Sequence, residues 1–189
     1  MAENGGAPFV DSSRLLCEDG VIWPSGRFVV CSYAATDLPP DDLITSVRCV
    51  VTRPSEVLVI GAGLDAHVVP GGRRERGESL EDTVRREVIE ETGWSLGTLR
   101  RLGYVVYRHL DPRAPDYTFP YPVFVQVVYT AAAAAHHPDA MCPDDNDGEA
   151  RFLAVERALD LPMAAAWRAF LRLAVTSEPA GPGGSIDAR

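Results

Sequence analysis

The chain has 189 residues, long enough for one domain with a sizeable core, and a formal net charge of −9 at pH 7. No run approaches the roughly 20 apolar residues of a membrane span. The N-terminus lacks the basic start and apolar centre of a secretory signal, and the cysteines show no CxxC spacing. The acidic balance argues against a nucleic-acid partner. We therefore expect a cytoplasmic protein that acts on a small molecule.

The first part of the chain predicts an N-terminal extension over 1–43, only partly ordered. Within it, Gly26–Ala34 has the apolar and β-branched composition of a strand. The next two apolar runs, 44–52 and 56–60, surround an Arg-Pro-Ser turn. They predict a β-hairpin at the start of the main domain.

The most informative stretch follows, GRRERGESLEDTVRREVIEETGW over residues 72–94. It predicts a helix over 79–92, with a serine at its N-terminal end and Gly93 as its stop. Three carboxylates fall on one side of this helix: Glu87, Glu90 and Glu91. Crowded carboxylates repel one another unless a cation neutralises them. Hard divalent ions with oxygen ligands suit this arrangement, Mg2+ first and Mn2+ second.

The spacing of this stretch resembles the signature box of the Nudix family, whose members cleave nucleoside diphosphates linked to another group. The glycine, acid and arginine positions of the box are all occupied: Gly72, Glu78, Arg86, Glu87, Glu90, Glu91 and Gly93. The resemblance implies an α/β fold, the Nudix-type α/β/α sandwich around a mixed β-sheet. One position departs from the pattern, because Trp94 stands where a medium aliphatic residue is usual. That position packs rather than reacts.

The resemblance also implies roles for the box residues. The implied metal ligands are three side chains and one main-chain carbonyl: Glu87, Glu90, Glu91 and the carbonyl of Gly72. Two adjacent glycines after Pro70 let the backbone approach a metal closely. Arg86 matches the family's orienting arginine, and its guanidinium could hold Glu78 or Glu90 through a bidentate contact.

Downstream of the box, hydrophobic patterning predicts further elements. In order, they are a strand over 99–110, a Pro-rich loop over 111–120, a strand over 121–131, a short strand over 150–155 and an amphipathic helix over 164–175. Together with the hairpin they predict a domain over 44–176. The Gly- and Pro-rich tail over 177–189 is expected to be disordered.

A later loop often supplies a fourth acid in this family. The acidic segment just before the strand predicted at 150–155 offers these candidates: Asp144, Asp145, Asp147 and Glu149. Glu149 is favoured because it lies closest to the strand, whereas a solvated acidic loop is the alternative for the others. The general base is left open between Glu87 and such a loop acid.

The substrate is the least determined property. Neither the proline typical of ADP-ribose enzymes nor the tyrosine typical of dinucleoside polyphosphate enzymes stands at its expected distance from the box. Side chains around the Pro-rich loop could stack on a base or contact phosphate, with core packing as the alternative. They are Tyr104, Tyr107, Arg108, Tyr117, Phe119 and Tyr121.

The expected function is metal-dependent hydrolysis of a pyrophosphate bond by water attack at phosphorus. A free nucleoside triphosphate or a nucleotide-sugar is favoured over capped RNA, which would call for a basic path. The alternative is a Nudix-fold sensor that binds its ligand without turnover. An isomerase of the isopentenyl diphosphate type would carry a modified box, which the intact box argues against. The oligomeric state is left open.

Overall fold

The computed structural model describes residues 9–61, 67–142 and 149–176. Its strands are β1 (Leu15–Trp23), β2 (Gly26–Ala34), β3 (Ile44–Arg53), β4 (Glu56–Val59), β5 (Trp94–Leu96), β6 (Arg100–His109), β7 (Val123–His136) and β8 (Arg151–Ala154). Its α-helices are α1 (Leu80–Thr92), α2 (Val155–Leu159) and α3 (Ala165–Thr176). In the described part of the chain no helix is long and apolar enough to cross a membrane.

The strands form one mixed sheet in the order β1-β2-β6-β7-β3-β4-β8, with β5 beside β7. Strands β3 and β7 run parallel at its centre, and the other neighbours are antiparallel. A central parallel pair needs cover on both faces. Alternation along β3 provides it, because Val51 packs with Val84 of α1 and Val50 packs with Phe170 of α3. The predicted α/β/α sandwich around a mixed sheet is confirmed.

Helix α1 has the ends that the sequence predicts. The hydroxyl of Ser79 accepts a hydrogen bond from the Asp82 N–H at 3.1 Å, and Gly93 ends the helix in the left-handed conformation with φ 71°. A buried apolar seam anchors the helix to the sheet: Leu80, Val84 and Val88. Because this seam is fixed, the polar side of α1 has a defined position relative to β3.

Most predicted strands are present, and the predicted hairpin is confirmed as β3 and β4, joined by a tight Pro54-Ser55 turn. The sequence did not predict β1, β5 or α2. Among the described strands, β1 pairs with β2 alone and forms an edge of the sheet. Its centre is polar, so it shows little apolar alternation. Strand β2 pairs with β6, so residues 15–34 of the predicted N-terminal extension belong to the central sheet. The predicted tail over 177–189 lies outside the described residues.

Strand β7 is longer than predicted, since its alanine-rich end pairs with β5. The pairing depends on Trp94, the residue that departs from the usual box. Its ring stacks on His136 at 4.5 Å between centroids and meets Phe152 edge-on at 5.5 Å. The Arg53 guanidinium lies 4.1 Å from the centre of the Trp94 ring. Trp94 therefore packs, as the sequence predicts for this position.

Candidate active site

Residues 70–72, in the loop that precedes α1, are hydrogen-bonded to β3. The Val47 N–H donates to the carbonyl of Gly72 at 3.0 Å, and the Arg48 guanidinium donates to the carbonyl of Gly71. Gly71 has φ +135°, and a Cβ there would meet the β3 backbone, with Arg48 Cα only 3.0 Å away. Only glycine fits this close approach between two backbones.

Two carboxylates of α1 reach this segment. A Cβ built on Gly72 would lie 2.5 Å from the carboxyl carbon of Glu87, so the missing side chain leaves room for that carboxylate. One turn later on the helix, Glu91 Oε2 accepts a hydrogen bond from the Gly71 N–H at 3.1 Å. The Gly72 carbonyl accepts only from Val47 among the described hydrogen bonds, and a carbonyl oxygen has a second lone pair.

Arg86 contacts three carboxylates, those of Glu78, Glu87 and Glu90. Its Nε and Nη2 donate to the two oxygens of Glu78 at 2.7 Å and 3.1 Å, a bidentate pair. Its Nη1 lies 3.0 Å from both Glu87 Oε1 and Glu90 Oε2. A further bond from Nη2 to the carbonyl of Arg73, at 3.2 Å, links the guanidinium to the loop that precedes α1. Arg86 thus contacts Glu78, which precedes α1, and also Glu87 and Glu90 on the helix itself.

The carboxylates around Arg86 are not electrostatically equivalent. The hydrogen bonds from Arg86 lower the pKa of Glu78 to about 2, so this group is a permanent anion at neutral pH. Burial raises the pKa of Glu87, and the nearby Arg86 only partly offsets that cost. The same three acids raise the pKa of Arg86. Glu87 is therefore a partly buried carboxylate that an additional cation would stabilise.

The donor set fits a hard divalent cation in its chemistry. It consists of oxygen atoms only, from carboxylates on one side of α1 and from the carbonyl of Gly72. Among residues 9–61, 67–142 and 149–176, no three acidic, cysteine or histidine side chains are close enough to form a ready metal site. The helix carboxylates instead contact Arg86 and the Gly71 N–H. Sharing one ion would require these side chains to turn away from those partners.

A cleft of about 660 Å³ opens beside Gly72. Five of its lining side chains are aromatic: Trp23, Phe28, Tyr117, Phe119 and Phe124. Arg48 and Arg73 bring positive charge to the same cleft, and the Arg73 guanidinium lies 4.5 Å from the centre of the Phe119 ring. Gly72 therefore belongs to both regions, because it lines the cleft and touches Glu87.

Of the six side chains predicted around the Pro-rich loop, two line the cleft, two lie in the core and two do neither. Tyr117 and Phe119 line the cleft. Tyr104 and Tyr107 are buried in the core, each 4% exposed, so core packing, the alternative considered for these aromatics, describes them. Tyr121 and Arg108 are not part of the lining. Of the predicted set, Tyr117 and Phe119 are therefore the residues that belong to the cleft lining.

Sequence reasoning missed several cleft residues. Trp23 is the last residue of β1, within the segment expected to be an extension. Ser46 and Gln126 also line the cleft, each from a central strand. The signal that could have found Gln126 is that it is the one polar residue in the apolar run 123–128. Polar groups in such positions need a partner. Ser46 lies in a strand with several polar residues and carries no such signal.

The acidic loop contributes little to the described site. Asp144, Asp145 and Asp147 lie outside the described residues. Glu149 is described and exposed, ahead of β8, and it makes no hydrogen bond or ion pair with another described residue. Its assignment as a fourth acid stays a prediction.

The acid-bearing helix thus follows a Gly-Gly segment and lies next to a cleft on a mixed sheet. The NUDIX domain model matches residues 42–174 of this chain. The chain therefore belongs to the Nudix family, whose members are generally pyrophosphohydrolases.

Solved structures agree on the fold. The pyrophosphohydrolase BsRppH from Bacillus subtilis is 18% identical with a TM-score of 0.56, and the match covers 79% of this chain and 89% of that one. The MutT NUDIX hydrolase from Burkholderia pseudomallei is 22% identical with a TM-score of 0.50, over 69% of this chain and 97% of that one. A comparison with curated proteins found no significant match.

Proposed function

We propose that the protein is a cytoplasmic, metal-dependent pyrophosphohydrolase that cleaves a nucleoside diphosphate linked to another group. Its favoured substrate is a free nucleoside triphosphate or a nucleotide-sugar. The observation that carries the proposal is the contact of Glu87 with Gly72, because it joins the acidic side of α1 to the cleft. A nucleotide with its base in the cleft would have its phosphates at this junction.

The metal ligands proposed are Glu87, Glu90, Glu91 and the carbonyl of Gly72. Mg2+ is the proposed ion, with Mn2+ as an alternative. Such ions, when bound, activate a water molecule and screen the charge that develops on phosphoryl oxygens. Arg86 and Glu78 act through the ligands: their bidentate pair keeps the guanidinium against Glu87 and Glu90.

The cleft supplies the groups that would bind the nucleotide. Arg48 and Arg73 place positive charge beside Gly72, in a protein whose formal net charge is −9. A phosphate chain near Gly72 would be attracted by both guanidinium groups. The rings of Tyr117 and Phe119 offer flat apolar surface on which a nucleobase can stack. This combination of aromatic and cationic side chains supports the proposed substrate class.

The general base remains a choice between two carboxylates. Glu87 lies against Gly72, where the acidic side of the helix meets the cleft. Glu149 is exposed ahead of β8 and would have to approach from the adjoining loop. In either case the carboxylate would accept the proton of the attacking water while the leaving phosphate departs from the cleft. The glutamine variants of Glu87 and Glu149 would distinguish the two.

Turnover of a nucleotide panel tests the proposal. We expect Mg2+-dependent release of a nucleoside monophosphate from at least one triphosphate or nucleotide-sugar, lost when the metal is chelated. Glu91→Gln should lower kcat by about 100-fold or more, since it removes a proposed ligand. Glu81→Gln is the matched control, because Glu81 is an exposed acid in the first turn of the same helix. Stoichiometric nucleotide binding without product in Mg2+ would instead indicate a sensor.

A further inference from the structure

Two polar side chains stand next to each other on the sheet within the cleft. Ser46 of β3 and Gln126 of β7 are register partners in the central parallel pair, and both line the cleft. Partners on neighbouring strands lie about 4.8 Å apart and project on the same face. Ser46 is 4% exposed, and its buried Oγ has no hydrogen-bond partner among the described residues. A buried hydroxyl in this state is unfavourable unless a ligand or water completes it.

The amide oxygen of Gln126 is turned toward Tyr107. The Tyr107 hydroxyl donates to Gln126 Oε1 at 3.1 Å. Burial raises the pKa of Tyr107 to about 12, so the phenol keeps its proton and remains a donor at neutral pH. The Tyr107 ring is itself fixed by parallel stacking on Phe124, with centroids 4.8 Å apart and an interplanar angle of 1°. The amide oxygen of Gln126 accepts from Tyr107, and its NH2 group has no described partner.

We propose that Tyr107, Gln126 and Ser46 select nucleotides with a 6-oxopurine base over those with a 6-aminopurine base. A 6-oxopurine carries an acceptor at O6, to which the Gln126 NH2 can donate, whereas adenine carries a donor at N6. Adenine would place its N6 donor against the Gln126 NH2 donor, because the amide oxygen is turned toward Tyr107. The Ser46 hydroxyl can accept from the neighbouring N1–H of a 6-oxopurine. This selection rests on the proposed function, because it requires a nucleobase in the cleft.

The size and lining of the cleft fit a purine nucleoside. Its volume of about 660 Å³ lies within the range of small-molecule sites. Aromatic rings from different segments surround the polar pair, including Phe28 from β2 and Phe119 from the Pro-rich loop. A bicyclic base provides more stacking area than a pyrimidine. Tyr107 is a positioning residue in this scheme, because it acts through Gln126 rather than by touching the base.

The test measures binding without turnover, using nucleoside monophosphates and isothermal titration calorimetry. We expect GMP and IMP to bind with similar affinity, each roughly 10-fold tighter than AMP. IMP separates the O6 contact from the 2-amino group of guanine. Steady-state kcat/KM for GTP, ITP and ATP in Mg2+ should show the same order.

Tyr107→Phe keeps the ring and its stacking but releases the amide, which can then reverse. The GMP/AMP affinity ratio should fall to about 3-fold or less, mainly because AMP binds more tightly. Gln126→Leu should weaken GMP and IMP and leave AMP nearly unchanged. Tyr104→Phe is the matched control, since Tyr104 is a buried tyrosine on the same strand that packs in a different core cluster. Its ratio should equal that of the wild type.

Equal affinity for GMP and AMP in the wild type, or no binding of any of the three, would overturn the selection. A preference for AMP would also overturn it, since it would mean that the amide has the opposite orientation. The selection is also overturned if Tyr107→Phe and Gln126→Leu both leave the GMP/AMP affinity ratio at its wild-type value. If GMP and IMP are preferred in binding but no nucleotide is hydrolysed, the pyrophosphohydrolase proposal fails while the selection stands.

Discussion

The acidic side of α1 and the aromatic cleft meet at Gly72, but they manage charge in different ways. Arg86 of α1 contacts three carboxylates, so acids outnumber the base around it. In the cleft, Arg48 and Arg73 lie among aromatic rings, and Arg73 has a ring as a close neighbour. One region is suited to cations and the other to an anionic ligand with a flat group. A metal-bound nucleotide, the proposed substrate, would satisfy both at once.

Gly72→Ala should have the largest effect, because it breaks the junction between the two regions. The added Cβ would overlap the carboxylate of Glu87 and force it away from the segment. We expect kcat/KM to fall about 100-fold or more, as for loss of a catalytic group, with a smaller change in Tm. Gly20→Ala is the control, since a Cβ there meets no atom within 4 Å. Wild-type activity in Gly72→Ala would contradict the proposed junction.

Arg86→Lys should affect the acidic region alone. Lysine keeps the charge but cannot make the bidentate contact with Glu78 while also reaching Glu87 and Glu90. We expect apparent Mg2+ affinity or kcat to drop about 10- to 100-fold, as for groups that orient ligands. Arg172→Lys, on the exposed side of α3, should leave both unchanged. An Mg2+ titration of the two variants would show whether Arg86 orients the acids.

Phe119→Leu should affect the cleft alone. The substitution removes an aromatic surface that Arg73 also contacts at 4.5 Å. We expect KM for the best nucleotide to rise about 10-fold with kcat within about 2-fold, because stacking stabilises bound substrate and transition state alike. Phe9→Leu is a control at a ring that packs on Tyr104, away from the cleft. A fall in kcat with unchanged KM would mean that Phe119 serves the reaction rather than binding.

The smallest effect should be on stability in acid. Because the pKa of Glu78 is lowered to about 2, the Arg86–Glu78 pair stabilises the fold fully above the unfolded pKa of about 4.3. This contribution is lost as the pH falls from there through about 2. We expect Glu78→Gln to lower the free energy of unfolding by about 1 kcal/mol at pH 7, discounted for partial exposure of the pair, and by less at pH 3.

Urea unfolding at pH 7 and pH 3 measures that difference. Glu81→Gln, an exposed acid on the same helix, should show no such pH dependence. A Glu78→Gln deficit that is as large at pH 3 as at pH 7 would show that the ion pair does not cause it.

Several local features of this protein could be predicted from the amino-acid sequence. The ends of α1 depend on Ser79 and Gly93, and its acids share a side because of helical spacing alone. The β3–β4 hairpin likewise depends on a turn between adjacent runs. The edge strand β1 could not be predicted from the sequence, because a strand exposed at an edge needs no apolar alternation. Strand β5 is only three residues long and exists through its pairing with β7.

The acid-bearing helix, the Gly-Gly segment and the family could be predicted from the amino-acid sequence, because they depend on residues close together in the chain. Tertiary structure alone decided that Glu87 meets Gly72 and that Ser46 stands beside Gln126. The second pair exists only because β3 and β7 run parallel, and periodicity within a strand carries no information about its neighbour. The cleft is assembled from the β1–β2 turn, β3, the Gly72 segment, the Pro-rich loop and β7. Contacts between segments so far apart are set by packing of the whole sheet, which no local pattern specifies.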